Sequence, residues 1–158
     1  METKSVVRIG VISDTHGLLR DEAAIALKGV DLIIHAGDID TPNVLAELGR
    51  IAPIKAVRGN MDKGNWANGL SPFELFEIGG ISIYVLHDVL QLDLDPKAAQ
   101  IDVVVNGHTH RPLVQEKDGV LYINPGSAGY PKYGQSPTVA LLQIKGQSLQ
   151  TRIIELFE

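Results

Sequence analysis

Short apolar runs separated by glycine, asparagine and aspartate set the rhythm of this chain. Val6–Ile12 is followed by Ser13-Asp14-Thr15-His16-Gly17, residues 31–36 by Gly37-Asp38, and residues 54–58 by Gly59-Asn60. Runs this short, bounded by turn formers, predict buried strands. Two helical stretches lie between them. Asp21 is expected to cap a helix over residues 22–28, stopped by Gly29. Thr41 caps a second, with Pro42 at its first position and Gly49 at its end. Strand-helix-strand-helix-strand implies parallel strands joined by right-handed crossovers.

The pattern changes after Asn60. Residues 62–69 are rich in glycine and asparagine and read as an irregular loop. Phe73–Ile78 and Ile81–Leu86 predict a β-hairpin through Gly79-Gly80. Residues 96–100 read as one helical turn, ahead of an apolar run that ends at Asn106-Gly107-His108. Residues 112–116 and 120–123 form a second expected hairpin through Asp118-Gly119, and residues 138–144 and 149–156 a third through Gly146. The expected fold is α/β in the first third and mostly antiparallel β afterwards. Two mixed sheets packed face to face, with helices outside, accommodate both parts.

A chain of 158 residues suits one domain, residues 1–158, large enough to bury a real core. It contains no cysteine, so thiolate ligands and disulfides are excluded. Any metal is then held by carboxylate, amide oxygen or imidazole, which suits Mn, Mg, Fe, Ni or Zn rather than Cu(I). The net charge of −5 provides no field for a polyanion, and no Lys/Arg groove stands out. A nucleic-acid partner is therefore not expected. The chain enters its first strand by Val6, which leaves no room for a signal segment, and no apolar run could span a bilayer. A cytoplasmic location without membrane contact is the expectation.

The polar residues behind the apolar runs carry the chemistry. Asp14, His16, Asp38, Asn60, His87, His108 and His110 all stand at or just beyond the ends of predicted strands. In α/β sheets such ends converge on a ligand-binding crevice. Seven donors exceed what one tetrahedral zinc uses. Two ions sharing a carboxylate fit the number better, and such pairs generate hydroxide and clamp an in-line displacement at phosphorus. Phosphoester hydrolysis is the reaction class favoured.

These residues resemble the calcineurin-like metallophosphoesterases, whose signature runs D-x-H, G-D, G-N-H-D/E, a lone His, then G-H-x-H. Here it reads Asp14-Thr15-His16, Gly37-Asp38, Gly59-Asn60-Met61-Asp62, His87 and Gly107-His108-Thr109-His110. The short length and Ile123-Asn124-Pro125-Gly126-Ser127 look like the small prokaryotic phosphodiesterase branch, which also contains the scaffold subunit of the retromer coat. The resemblance implies a four-layer α/β/β/α sandwich. It implies two divalent ions, manganese first, with Ni, Mg, Fe or Zn also competent. Asp14, His16 and His110 would take one ion, Asn60, His87 and His108 the other, and Asp38 would bridge them. Asp38, Asn60 and His108 would then carry catalysis through the ions and bound hydroxide, on a small phosphodiester. The alternative is a non-catalytic, metal-binding interaction scaffold.

Two positions depart from the pattern. Met61 replaces the histidine that relatives are thought to use on the phosphate and leaving oxygen, and a thioether cannot donate a proton. Asp88 follows His87 where relatives often have glycine, adding negative charge. Outside the signature, His35 is expected to orient Asp38 or pack rather than bind metal. Arg58 could clamp a phosphate, although a structural ion pair is its plainer role. Trp66 is either a substrate platform or a pin for its loop. Tyr130, Lys132 and Tyr133 could line the cleft mouth or a homo-oligomer contact.

Overall fold

A computed structural model describes residues 5–132 and 134–157. Strand β1 (Val6–Ile12) pairs in parallel with β2 (Leu32–His35), and β2 in parallel with β3 (Ile54–Ala56). Helices α1 (Asp21–Ala26) and α2 (Pro42–Gly49) make the two crossovers. Asp21 opens α1 instead of capping it. Arg20 holds the cap position, and Asp21 and Glu22 lie in the first turn, where the helix dipole favours carboxylates. Thr41 does stand at the cap of α2 with Pro42 behind it, though its hydroxyl makes no capping bond.

The first predicted hairpin is β4 (Phe73–Ile78) with β5 (Ile81–Leu86). The second is β7 (Leu113–Lys117) with β8 (Val120–Asn124), and the third is β9 (Thr138–Lys145) with β10 (Ser148–Glu155). Most pairings after β3 are antiparallel, as expected, and strand β6 (Val103–Val105) is the exception. It pairs in parallel with both β5 and β8. Residues 87–102 are long enough to carry the chain back across the sheet, which a parallel pairing requires. The predicted turn at residues 96–100 is present as a hydrogen-bonded turn, Ile101 N–H donating to the Pro96 carbonyl. The predicted loop after Asn60 holds a short 3₁₀ turn, Asn65–Gly69.

The two five-stranded sheets run β10-β9-β1-β2-β3 and β4-β5-β6-β8-β7. Their inner faces meet through Ile9, Val11 and Ile34 on one side and Ile83, Val85, Val103 and Val105 on the other. Each such side chain, fully removed from water, contributes about 1.5–3 kcal/mol. Helices α1 and α2 cover the outer face of the first sheet through Ala23, Leu27, Val44 and Leu48. Over the second sheet the outer layer is slighter. Leu92, Leu94 and Ile101 pack on Tyr84, Leu86 and Val104, beside a single 3₁₀ turn, Val89–Gln91. The mixed α/β sandwich is as the sequence implied. Its parallel strands, β1, β2 and β3 in one sheet and β5, β6 and β8 in the other, all end at one edge, and the polar strand-end residues collect there.

Candidate metal centre

Five of the seven predicted donors, Asp14, His16, Asp38, His108 and His110, have left-handed backbone, with φ between 48° and 72°. For non-glycine residues this costs roughly 1–3 kcal/mol each, and it persists only where the surroundings impose it. Here the loops are zipped together. Asp14 N–H donates to the Gly37 carbonyl, His16 N–H to that of Asp38, and Gly17 N–H to that of Ile39. Gly107 N–H donates to the His87 carbonyl, tying the two loops of the second sheet. The approach is close enough that a Cβ at Gly59 would strike the Asp38 backbone and carboxylate. One at Gly107 would strike Ser13 Oγ and Asp14 Oδ2.

The donors form two groups around Asp38. Asp14, His16 and His110 place one donor atom each within 4.8 Å of one another, and Asp38, His87 and His108 do the same. Asp38 Oδ2 lies 3.2 Å from His87 Nε2 and 3.9 Å from His16 Nε2, between the groups. The inward amide atom of Asn60 is 2.9 Å from His87 Nε2 and 3.1 Å from Asp38 Oδ2. With its nitrogen inward, Asn60 donates to both. With its oxygen inward, it faces the Asp38 carboxylate and His87 Nε2, where a bound cation or a proton on His87 reconciles the acceptors. All seven predicted residues are thus brought together.

Asp14 tests whether these residues suit a metal. Its Oδ2 accepts from Ser13 Oγ at 2.7 Å and from His108 N–H at 3.1 Å. Its Oδ1 is buried with no hydrogen-bond partner, yet His110, His16 and His87 aim Nε2 at it from 3.4, 3.8 and 3.9 Å. Buried acceptors of this kind are costly unless satisfied. A divalent ion among carboxylate oxygen and imidazole nitrogens satisfies them all. The histidines are also set up for it from behind. Nδ1–H of His87 donates to the Ala36 carbonyl at 2.7 Å and that of His110 to the Tyr130 carbonyl at 3.1 Å. His16 Nδ1 faces Asp40 at 3.2 Å. Such outer partners fix which nitrogen points at a metal.

Charge in the cluster moves the titrations accordingly. Burial works against protonated His87, but the hydrogen bond to Asp38 and the charge of Asp14 outweigh it and raise its pKa. The Asp14 carboxylate, 3.4 Å from its Nε2, likewise raises His110 against the effect of burial. Asp38 is lowered: burial opposes this, but His87 and the Met61 N–H stabilise its carboxylate.

Asp62 belongs to the signature, yet nothing in the sequence gives it a role of its own. Its buried carboxylate accepts four backbone N–H groups, from Asp38, Ile39, Asp40 and Gly59, at 2.8–3.0 Å. It therefore binds two donor-bearing loops to each other. Asn124 and Ser127 brace the remainder. Asn124 Nδ2 donates to the Gly107 carbonyl and Thr109 Oγ1, and Ser127 Oγ to the Asp14 carbonyl. The segment that marked the branch in the sequence is a buttress.

The remaining candidates separate clearly. His35 is fully buried, accepts Gly37 N–H on Nδ1 and faces Thr15 Oγ1 with Nε2, so it supports the turn before Asp38. Arg58 Nε donates to the Asp62 carbonyl. Trp66 packs against the core beneath the helices and pins its loop. Tyr130 contributes its carbonyl to His110, and Tyr133 lies outside the described residues. Met61 is half exposed beside Asp38, with only its N–H engaged.

The profile of the calcineurin-like phosphoesterase superfamily domain matches residues 7–147. A probable metallophosphoesterase of Methanothermobacter thermautotrophicus is 36% identical over 92% of this chain and 91% of its own length. A phosphodiesterase of Methanocaldococcus jannaschii is 31% identical over 94% of this chain and 100% of its own. Among solved structures, an archaeal phosphodiesterase superposes with a TM-score of 0.78 at 28% identity, covering 94% of this chain and 100% of that one. Vacuolar Protein Sorting 29 from Cryptosporidium parvum, at 20% identity, shares the fold with a TM-score of 0.77, covering 94% and 97%. This chain belongs to the calcineurin-like phosphoesterase superfamily.

Proposed function

We propose that this protein hydrolyses phosphodiesters at a two-metal centre. Asp14, His16 and His110 hold one ion, Asn60, His87 and His108 the other, and Asp38 lies between. The observation that carries this reading is the pair of donor groups meeting at Asp38, with Asp14 Oδ1 buried and unpartnered among three imidazole nitrogens. Two divalent ions there would supply Lewis-acid stabilisation of the phosphoryl oxygens and lower the pKa of water. Manganese suits this oxygen- and imidazole-rich set.

The chain's own residues do the positioning. Asp38 is held ionised by His87 and the Met61 N–H. Ala36 and Tyr130 carbonyls fix the faces of His87 and His110. Met61 offers no proton, so leaving groups that depart without protonation are favoured. Asp88 places a carboxylate 3.8 Å from His108 Nε2, and its charge disfavours dianionic monoesters. Manganese-loaded protein should hydrolyse bis-p-nitrophenyl phosphate faster than p-nitrophenyl phosphate. Asp38→Ala should remove the activity. Ion binding without turnover of any diester would instead identify a scaffold.

A further inference from the structure

A cavity of about 460 Å³ opens beside Asn60, His87 and His108, and neither His16 nor His110 lines it. One wall is apolar: Pro72, Phe73, Tyr84 and Leu86. The Phe73 and Tyr84 rings stack with centroids 5.6 Å apart and planes 14° apart, and Phe73 remains 52% exposed. Burial and then the charge of Asp93 raise the Tyr84 phenol, so it keeps its proton. The wall also carries acceptors: the Asp88 and Asp93 carboxylates and the Gln91 amide. Neither Asp93 nor Gln91 uses its side chain in a hydrogen bond to another described residue. Among the described residues Arg58 is the one arginine or lysine lining this cavity, and it lies next to Gly59 and Asn60.

These features select an occupant. The volume is that of a small-molecule site. A half-exposed aromatic face beside the reacting centre suits a flat ring. Carboxylates with spare lone pairs ask for N–H and O–H donors and repel a further phosphate. A lipid chain leaves the acceptors unpaired, and a second phosphoryl group meets two carboxylates.

We propose that this cavity is a nucleoside subsite: it takes the nucleoside half of the phosphodiester, with the base on Phe73 and its donors on Asp93 and Gln91. The assignment rests on the hydrolytic reading of the metal centre. In the reaction, the oxygen of water joins phosphorus and the bond to the second alcohol breaks. A water proton goes to that alcohol, and the nucleoside monophosphate remains.

The test compares thymidine 5′-(p-nitrophenyl phosphate) with methyl p-nitrophenyl phosphate on manganese-loaded protein. The leaving group is the same, so the ratio reports the subsite. The kcat/KM for the nucleoside diester should be higher by about tenfold or more, chiefly through KM. Phe73→Ala should remove most of that preference. Phe73→Leu, which keeps an apolar side chain on strand β4, should do likewise if the ring face is what matters. Equal kcat/KM for the two diesters would overturn the subsite and leave the hydrolytic reading intact. If neither diester is cleaved, the hydrolytic reading fails, and calorimetric binding of the intact thymidine diester, a monoanion, still decides the subsite. Binding weakened about tenfold by Phe73→Leu supports it, and no binding overturns it.

Discussion

On one side of Asp38, each imidazole is braced through its second nitrogen, His16 by the Asp40 carboxylate and His110 by the Tyr130 carbonyl. On the other side only His87 is so held, by the Ala36 carbonyl. His108 turns Nδ1 toward His87 at 3.3 Å and Nε2 toward Asp88 at 3.8 Å, with its side chain 42% exposed. The first half is part of the fold, packed under the loops of β1 and β2. The second half is a surface that faces the cavity. A centre built this way would keep one ion as structure and present the other to substrate, since preorganised donors bind more tightly than donors that must be ordered.

The largest effect should come from removing what both halves share. Asp62 fixes the backbone of Asp38 and Asp40, hence the brace of His16, and also that of Gly59 beside Asn60. Asp62→Asn keeps the shape but turns an NH₂ toward N–H donors. Each lost bond to the charged acceptor is worth about 1.5–3 kcal/mol. Urea unfolding of the metal-free protein should show a loss of about 3 kcal/mol or more, with activity gone. A variant as stable as wild type that still binds both ions would show the carboxylate is not the tie between the loops.

A smaller effect should separate the halves. In a calorimetric Mn²⁺ titration, His108→Ala should abolish the weaker site and leave the tighter one in place. His110→Ala should weaken the tighter site by about 100-fold, the upper end of what loss of even an outer partner does at a metal. Equal losses from the two substitutions would erase the distinction between a rigid half and an open one.

Much of this was legible in the sequence, for physical reasons. Period-two hydrophobicity and Gly-Gly or Asp-Gly turns are local signals, and the hairpins β4–β5 and β7–β8 follow them closely. The convergence of the seven side chains was legible because each stands at a strand end in a fixed order. What escaped were long-range matters. The parallel β5–β6–β8 pairing depends on which strands meet, not on any local pattern. The left-handed backbone at Asp14 or His108 is imposed by neighbouring loops; aspartate and histidine tolerate it better than most residues, but residue type alone does not say which of them adopt it. Asp62 stood in the signature without a role of its own, because its four N–H partners come from segments 3 to 24 positions away. The cavity beside His108 depends on Phe73 and Tyr84 meeting across a hairpin whose faces the sequence left unassigned.

His35 allows the rigid half to be probed by acid. Its ring is fully buried, accepts Gly37 N–H on Nδ1 and so donates from Nε2 to Thr15 Oγ1, which in turn donates to the Ile39 carbonyl. Burial above all pushes its pKa down to about 3, against the pull of Asp14. In the unfolded chain an imidazole titrates near 6.5. Between these values the unfolded chain takes a proton that the native state refuses, so stability falls as pH falls, by about 1.4 kcal/mol per pH unit. His87 and His110 act oppositely in the metal-free protein: their raised values give stability below the unfolded pKa that is lost as pH rises through the folded one. Urea unfolding of metal-free His35→Gln between pH 6 and 4 should therefore show a shallower acid slope than wild type, by about that amount. Parallel slopes would mean that His35 is not what keeps the Thr15 and Gly37 turns closed. A shallower slope would place the acid sensitivity of the centre under its rigid half, at a residue that touches no ion.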